Sequence, residues 1–203
     1  GYVVLASELK HAEKINGHFE LTLNSSDKIQ CNFLINASGL HTEDVANRIE
    51  EINLPKIKTV MYAKGHYYLY KKKNPFKRLI YPLPNSNGHG IHAGMDIENN
   101  LRFGPNAKWV DSIEYSFDEN TLEEFCNSIK SYWVNFDPSC LSPDYTGIRS
   151  KIVAEGEGSQ DFEILDASDH GLENLIHLQG IDSPGLTSSL SIAAEVISKL
   201  GIH

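Results

Sequence analysis

Arg149, in the run Tyr145-Thr146-Gly147-Ile148-Arg149, offers a planar guanidinium fork that matches a carboxylate bidentately and stays charged at any working pH. A surface or structural arginine is the alternative. His92 lies among small residues, Gly90-Ile91-His92-Ala93-Gly94, where an imidazole suits a general base that takes a hydroxyl proton. It could equally be a satisfied sheet histidine. His89 stands three residues before it, but on a strand the two side chains face opposite sides, which argues against a metal pair. Tyr81 and His66 are secondary candidates for hydrogen bonds to a substrate, whereas Tyr67, Tyr68 and Tyr70 read as core or sheet aromatics. Arg102 is a second cation that would suit a diacid, or else a member of a surface salt bridge. Lys151 reads as solvent-facing or as a helper to Arg149.

Near the C-terminus, Gly180-Ile181-Asp182-Ser183-Pro184-Gly185-Leu186-Thr187 reads as the end of a strand, a tight turn and a bare helix start. Ser183 is a good N-cap, and Pro184 suits the first helical position because it has no N–H to leave unpaired. Gly180 and Gly185 allow a flat or anionic group close to the backbone, and the helix dipole favours negative charge there. That charge need not be a phosphate; the pyrimidine end of a reduced flavin also fits. An ordinary strand–turn–helix without ligand is the alternative.

The elements that must position these groups follow from periodicity. Residues 1–39 read as β structure, with a hairpin at Asn16-Gly17, alternation over Phe19–Leu23 and a turn at Asn24–Asp27. The run Cys31–Asn36 resembles one strand covered on both sides. Thr42 is expected to cap a helix whose inner face is Val45, Ile49 and Ile52. Further strands are expected at Val60–Tyr70, Leu79–Leu83, Gly90–Ile97, Leu101–Phe103, Gly147–Val153, Phe162–Leu165 and Leu175–Leu178. Helices are expected over Glu119–Trp133, with a stripe of Leu122, Phe125, Cys126, Ile129 and Trp133, and after Pro184. The closing helix would bury Leu186, Leu190, Ala193, Ile197 and Leu200. Few helices, not alternating with strands, predict an α+β fold built on a mainly antiparallel sheet.

Composition excludes some functions. The chain has 203 residues and a formal net charge of −9, so a nucleic acid or an anionic membrane surface is not expected as partner. No apolar run is long enough for a transmembrane segment. Cys31, Cys126 and Cys140 lack metal-ligand spacing and read as free thiols in a reducing, cytoplasmic setting. The start at Gly1-Tyr2-Val3-Val4-Leu5 looks like a strand entered midway, as in a fragment, a cleaved product or a trimmed chain.

Several motifs together resemble the FAD-dependent oxidoreductases of the D-amino-acid-oxidase superfamily, in its L-2-hydroxyglutarate dehydrogenase-like branch. They are Leu34–His41, Lys64–Tyr68, Leu79–Pro84, Gly90–His92, Arg102–Pro105, Tyr145–Arg149 and Gly180–Thr187, in the family's order across nearly the whole chain. The resemblance implies FAD as cofactor and a small carboxylate substrate. The implied reaction is oxidation of a 2-hydroxy acid by hydride transfer, with amino-acid or amine oxidation, or a non-catalytic binding remnant, as rivals. It implies that Arg149 anchors the substrate carboxylate, although Ser150 stands where the family commonly has Pro. It also implies cofactor contacts at Leu9, Ala37, Gly39, Gly147, Gly180, Ile181, Ser183, Pro184, Gly185, Leu186 and Thr187.

The family's G-x-G-x-x-G turn is not in this chain, so the resemblance is to the C-terminal part of such an enzyme, with an N-terminal FAD-binding half elsewhere. The expected organisation is a partial, Rossmann-like FAD-binding domain over 1–56, a substrate-binding domain over 57–146, and a return to the FAD-binding domain over 147–203. The chain alone is then expected to bind FAD weakly or not at all, to be inactive, and to hide its open edge at Phe33-Leu34-Ile35 by self-association.

Overall fold

A computed structural model describes residues 1–83, 90–158 and 160–202. His89 and Pro84 fall outside them. The first strands are β1 (Leu9–Ile15), β2 (His18–Leu23), β3 (Lys28–Cys31) and β4 (Leu34–Asn36), followed by the short helix α1 (Thr42–Ala46). Then come β5 (Met61–Tyr70), β6 (Ala93–Met95), β7 (Leu101–Phe103), β8 (Lys108–Val110), helix α2 (Leu122–Lys130) and β9 (Leu141–Lys151). The chain closes with β10 (Glu163–Leu165), α3 (Ala167–His170), β11 (Leu175–Gln179) and α4 (Gly185–Lys199). It is a mixed α+β fold of two compact units, one formed by residues 1–61 with 150–203, the other by 62–149.

In the first unit, β1, β2 and β3 form an antiparallel sheet. Asn16 and Gly17 have φ of 50° and 86°, the doubly positive geometry of the tightest hairpin turns, and set Ile15 opposite His18. That register turns Ala12 and Phe19 inward, where both are fully buried. A second sheet has the order β10-β11-β4, with β11 antiparallel to β10 and parallel to β4. Every residue of β11 is buried. Leu175 packs with Ala12, Phe19, Ala46 and Ile49 on one side, and Ile176 and Leu178 pack with Val196 on the other.

Several expectations for this unit are corrected. Residues 1–8 form no strand, and Tyr2, Val3, Val4 and Leu5 are exposed, because nothing among the described residues pairs with them as a ladder. The run Cys31–Asn36 is two strands: Cys31 ends the pairing with β2, and the Leu34 N–H turns to the Asn174 carbonyl at 2.9 Å. Phe33 and Ile35 are exposed and β4 is an edge strand. The expected helix from Thr42 stops at Ala46. Arg48 to Glu50 instead runs beside β1, with the Ala12 N–H donating to the Arg48 carbonyl and the Glu50 N–H to the Ala12 carbonyl, both at 2.8 Å. Thr42 is no cap, since its hydroxyl donates to the Leu178 carbonyl at 2.7 Å.

Helix α4 is rotated from the expected face. It buries Val196, with Ile192 and Leu200 beside it, and leaves Leu186 and Leu190 92% and 85% exposed. Its start also differs, because Ser183 and Pro184 are the corners of a four-residue turn closed by the Gly185 N–H on the Asp182 carbonyl. Pro184 therefore takes the capping position, and Ser183 caps nothing.

The second unit is organised on β5, which pairs with β7, β8 and β9. Leu79–Leu83 is not a strand; a single bridge from Ile80 to Ala93 remains, and the expected Gly90–Ile97 strand shortens to β6. Strand β8 was not anticipated, and β9 begins earlier than Gly147. The helix expected over Glu119–Trp133 is a 3-10 turn capped by Asp118, followed by α2, which buries Phe125 and Ile129. These pack with Tyr68, Tyr70, Leu101, Phe103 and Phe136.

Gly104 joins β7 to the next loop at φ 137°, and a Cβ there would lie 2.5 Å from the His66 carbonyl oxygen and 2.9 Å from Tyr67 Cδ1. Gly17 also has positive φ, but open space surrounds it. Gly104→Ala is therefore expected to cost about 3 kcal/mol or more, against about 1 kcal/mol for Gly17→Ala, in urea unfolding followed by tryptophan fluorescence. Equal losses would refute the steric argument for Gly104.

Candidate functional site

In the second unit, period-two alternation places Tyr145, Gly147 and Arg149 on one face of β9. Tyr67 of β5 stacks on Tyr145 with centroids 4.4 Å apart and rings 15° from parallel. The Arg149 charge lies close enough to the Tyr67 phenol to act on its ionisation. Burial raises the Tyr67 pKa, Tyr145 adds to the effect and Arg149 opposes it, so the phenol stays protonated and can donate. Nothing lies within 4 Å of the Cβ position at Gly147, leaving open space between Tyr145 and Arg149. A cation, a phenol and an open floor can receive a small carboxylate.

Tyr81 and His92 are brought together, their ring centroids 4.5 Å apart. The His92 carbonyl accepts from the Gly104 N–H at 3.0 Å, which ties this segment to the end of β7. Two other candidates are corrected. His66 is 1% exposed, held by the Asn106 side-chain oxygen at 3.0 Å and by the edge of Phe117, so it lies in the interior and not on a face a substrate reaches. Arg102 is the salt-bridge alternative: it contacts Asp144 at 2.5 Å and Asp96 at 3.0 Å, with Tyr145 alongside.

In the first unit, Asn36 ends β4 as a buried junction. Its amide donates to the Thr42 carbonyl at 2.8 Å and to His177 Nδ1 at 3.0 Å, while its oxygen accepts from the Ser38 hydroxyl at 2.6 Å. Ala37 and Gly39 follow, and Gly39 has φ 60° with open space beside it; its carbonyl accepts from the Ser150 hydroxyl at 3.4 Å. Leu9 is paired opposite Leu23, and its carbonyl accepts from Arg48 at 2.6 Å.

At the other end of the unit, Ser183, Pro184, Leu186 and Thr187 are exposed around the start of α4, with the Thr187 hydroxyl on the Pro184 carbonyl at 3.1 Å. The Cβ positions of Gly180 and Gly185, however, are filled from within: 2.6 Å from Ile152 and 2.7 Å from Ile181. These two glycines serve the packing of the turn, not an open approach for a ligand. Lys151 is neither free nor solvent-facing, since its ammonium pairs with Asp182 in this turn at 2.5 Å.

Sequence reasoning missed Tyr67, Asn36 and His177. An alternation count along β5 would have placed Tyr67 opposite Tyr68 and Tyr70; the Asn36–His177 contact spans 141 positions and leaves no local signal.

The family model for FAD-dependent oxidoreductases of the DAO family matches residues 2–199. The chain is 32% identical over 180 residues to the mitochondrial L-2-hydroxyglutarate dehydrogenase of Arabidopsis thaliana, covering 83% of this chain and 37% of that protein. Among solved structures it resembles the FAD-bound L-alpha-glycerophosphate oxidase of Mycoplasma pneumoniae, with a TM-score of 0.79, 17% identity, and coverage of 97% of this chain and 50% of that one. It also resembles the glycine oxidase of Geobacillus kaustophilus, with a TM-score of 0.70, 13% identity, and coverage of 95% and 48%. The fold is that of a flavoprotein oxidoreductase, and the chain belongs to the DAO family of FAD-dependent oxidoreductases. It spans half or less of the length of these relatives.

FAD is the cofactor of this family. The residues present fit its flavin end, through the exposed start of a 15-residue helix and the open backbone at Gly39. They supply no glycine-rich turn for its pyrophosphate. The free thiols are Cys31, Cys126 and Cys140, and among the described residues no helix is long and apolar enough to cross a membrane.

Burial lowers the pKa of His177 from 6.5 to about 4, so the folded state holds it neutral where the unfolded chain takes up a proton. Its contribution to stability is complete above pH 6.5 and is lost as pH falls towards about 4. His177→Gln is expected to flatten the acid limb of stability by about 1.4 kcal/mol per pH unit. Denaturant midpoints between pH 7 and 4 measure this; an unchanged slope would rule it out.

Proposed function

We propose that the protein to which this chain belongs oxidises a small 2-hydroxy acid of the L-2-hydroxyglutarate type at its CH–OH bond. The observation that carries this reading is Arg149 on the same face of β9 as the open position at Gly147, in a chain 32% identical to an L-2-hydroxyglutarate dehydrogenase. FAD, when bound, supplies the acceptor for the electron pair leaving the substrate carbon. Arg149 binds the carboxylate through its fork, and protonated Tyr67 fixes the orientation of the guanidinium. His92, beside Tyr81, takes the hydroxyl proton on an imidazole nitrogen, and Tyr81 orients the imidazole. In the first unit, Leu9, Ala37, Gly39 and the exposed turn residues Ser183, Pro184, Leu186 and Thr187 are this chain's contacts for the cofactor, with Gly180, Ile181 and Gly185 packing the turn that presents them. Arg102 and His66 are not part of the proposal.

A second reading, oxidation of an amino acid at CH–NH, is favoured by the likeness of fold to glycine oxidase. Anaerobic bleaching of the FAD-loaded full-length protein separates the two. L-2-hydroxyglutarate should bleach the flavin and glycine should not; the reverse result would establish the second reading.

Within the full-length enzyme, Arg149→Ala is expected to cost about 2–5 kcal/mol in kcat/KM, the loss typical when one partner of a buried charge pair is removed. Normal kcat/KM in this variant would remove Arg149 from the site. His92→Ala is expected to slow flavin reduction by roughly 10²–10⁴-fold while FAD stays bound. Stopped-flow reduction that matches the parent at every pH would assign the proton transfer to another group.

A further inference from the structure

Outside the proposed site, one side-chain cluster combines a nitrogen ligand with two carboxylates. His11 and Glu13 are two apart on β1 and flank Ala12, which is fully buried, so both face away from the core. Ile49 is bridged to Ala12 in parallel fashion and is also buried, which turns Glu50 to the same outer face. The backbone fixes this juxtaposition through the two hydrogen bonds of Ala12, to Arg48 and from Glu50. One ligand atom from each of His11, Glu13 and Glu50 lies within 4.8 Å of the others, and His11 Nε2 stands 3.4 Å from Glu50 Oε1.

These separations have a chemical meaning. A tetrahedral ion with bonds of about 2.0–2.1 Å holds neighbouring ligand atoms about 3.3 Å apart. Small rotations of two glutamate side chains, about half exposed in the case of Glu50, bring all three ligands to that spacing. The neighbouring cations are engaged elsewhere: Arg48 bonds Glu8 and the Leu9 carbonyl, Lys10 pairs with Glu8, and Lys28 pairs with Glu20. Lys28 acts on Glu13 only through space. An imidazole in the set selects a transition cation over Mg²⁺ or Ca²⁺, which prefer oxygen alone.

We propose that His11, Glu13 and Glu50 bind a divalent transition cation of the Zn²⁺ class, with water completing its coordination. The ion bridges β1 to the segment Arg48–Glu50 and thereby clamps the first sheet to the chain that follows α1. This site is independent of the proposed oxidation.

Titration of the 203-residue chain with ZnSO₄ by calorimetry, and with CoCl₂ by visible absorption, tests it. One equivalent of Zn²⁺ should bind, Co²⁺ should give ligand-field bands that Zn²⁺ abolishes, and the thermal midpoint should rise with Zn²⁺ but not with MgCl₂. His11→Gln and Glu50→Gln should each weaken binding at least about tenfold, since even outer-shell partners of metal sites are worth that much. His41→Gln, at an exposed histidine beside Asp44, should leave it unchanged. Circular dichroism of each variant shows whether it folds, and Glu13→Gln gives a third, separate ligand removal. Absence of saturable binding, or binding that survives His11→Gln and Glu50→Gln in folded protein, overturns the proposal.

Discussion

The first unit depends on the parallel pairing of β11 with β4. Strand β11 is buried along its whole length and faces two cores, with Leu175 in one and Ile176 and Leu178 in the other. Its partner arrives from more than a hundred residues earlier, so the ordering entropy of a long intervening chain opposes the contact. Polar groups fix its register as firmly as the apolar ones. Asn36 reaches His177 and Thr42 reaches the Leu178 carbonyl, both inside the protein, where an unmet hydrogen bond costs about 1–3 kcal/mol. A slip by one residue would turn His177 and Gln179 to the α4 side and strand those groups. The loop from Ala37 to Gly39 begins at Asn36, so the same junction positions the backbone that the proposed cofactor site uses.

Strand β5 plays the corresponding part in the second unit, and it does so by alternation. His66, Tyr68 and Tyr70 point into the core at 1%, 1% and 5% exposure, while Tyr67 points the other way, stacks on Tyr145 and lies close to the Arg149 charge. One strand therefore carries packing on one face and lends the other to the proposed substrate site. Gly104 lets the neighbouring segment approach β5 at His66 and Tyr67, a distance that no side chain at that position would allow.

Much of this was legible in the sequence where a local signal existed. The Asn16-Gly17 hairpin, the long strand ending at Tyr70, the strand at Leu175 and the inner face of α2 all follow from turn chemistry or clean periodicity. Legibility failed where the pattern was degenerate. Helix α4 has apolar residues on more than one face, so Leu186-Leu190-Ala193-Ile197-Leu200 and Ile192-Val196-Leu200 are both plausible stripes that share Leu200; contact with β11 selects the second. In β5 every candidate is aromatic or imidazole, so hydrophobicity could not separate His66, expected as a substrate candidate but buried, from Tyr67, expected as a core or sheet aromatic but turned to the other face. The break between β3 and β4 was hidden because a run from Cys31 to Asn36 suits a strand throughout, and only the change of pairing partner divides it. The glycines at 180 and 185 were read as openings, yet Ile152 and Ile181 occupy the space they leave.

The electrostatics of the second unit bear on the proposed substrate. Arg102 and Arg149 have the same chemistry and both lie near the stacked tyrosine pair: Arg102 sits over Tyr145, and the charge of Arg149 acts on Tyr67. Their surroundings separate them. Asp144, followed by the charges of Asp144 and Asp96, holds Arg102 in its charged form, against a smaller cost of burial. To bind a substrate carboxylate, Arg102 would have to leave one of these aspartates, exchanging one ion pair for another with little net gain. In the proposed reaction a diacid would therefore have one arginine anchor in this unit, Arg149. Its second carboxylate must be met by water, by backbone or by residues beyond this face. Discrimination between a 2-hydroxy monoacid and a diacid then rests on what surrounds the far end of the substrate, not on a matched pair of arginines.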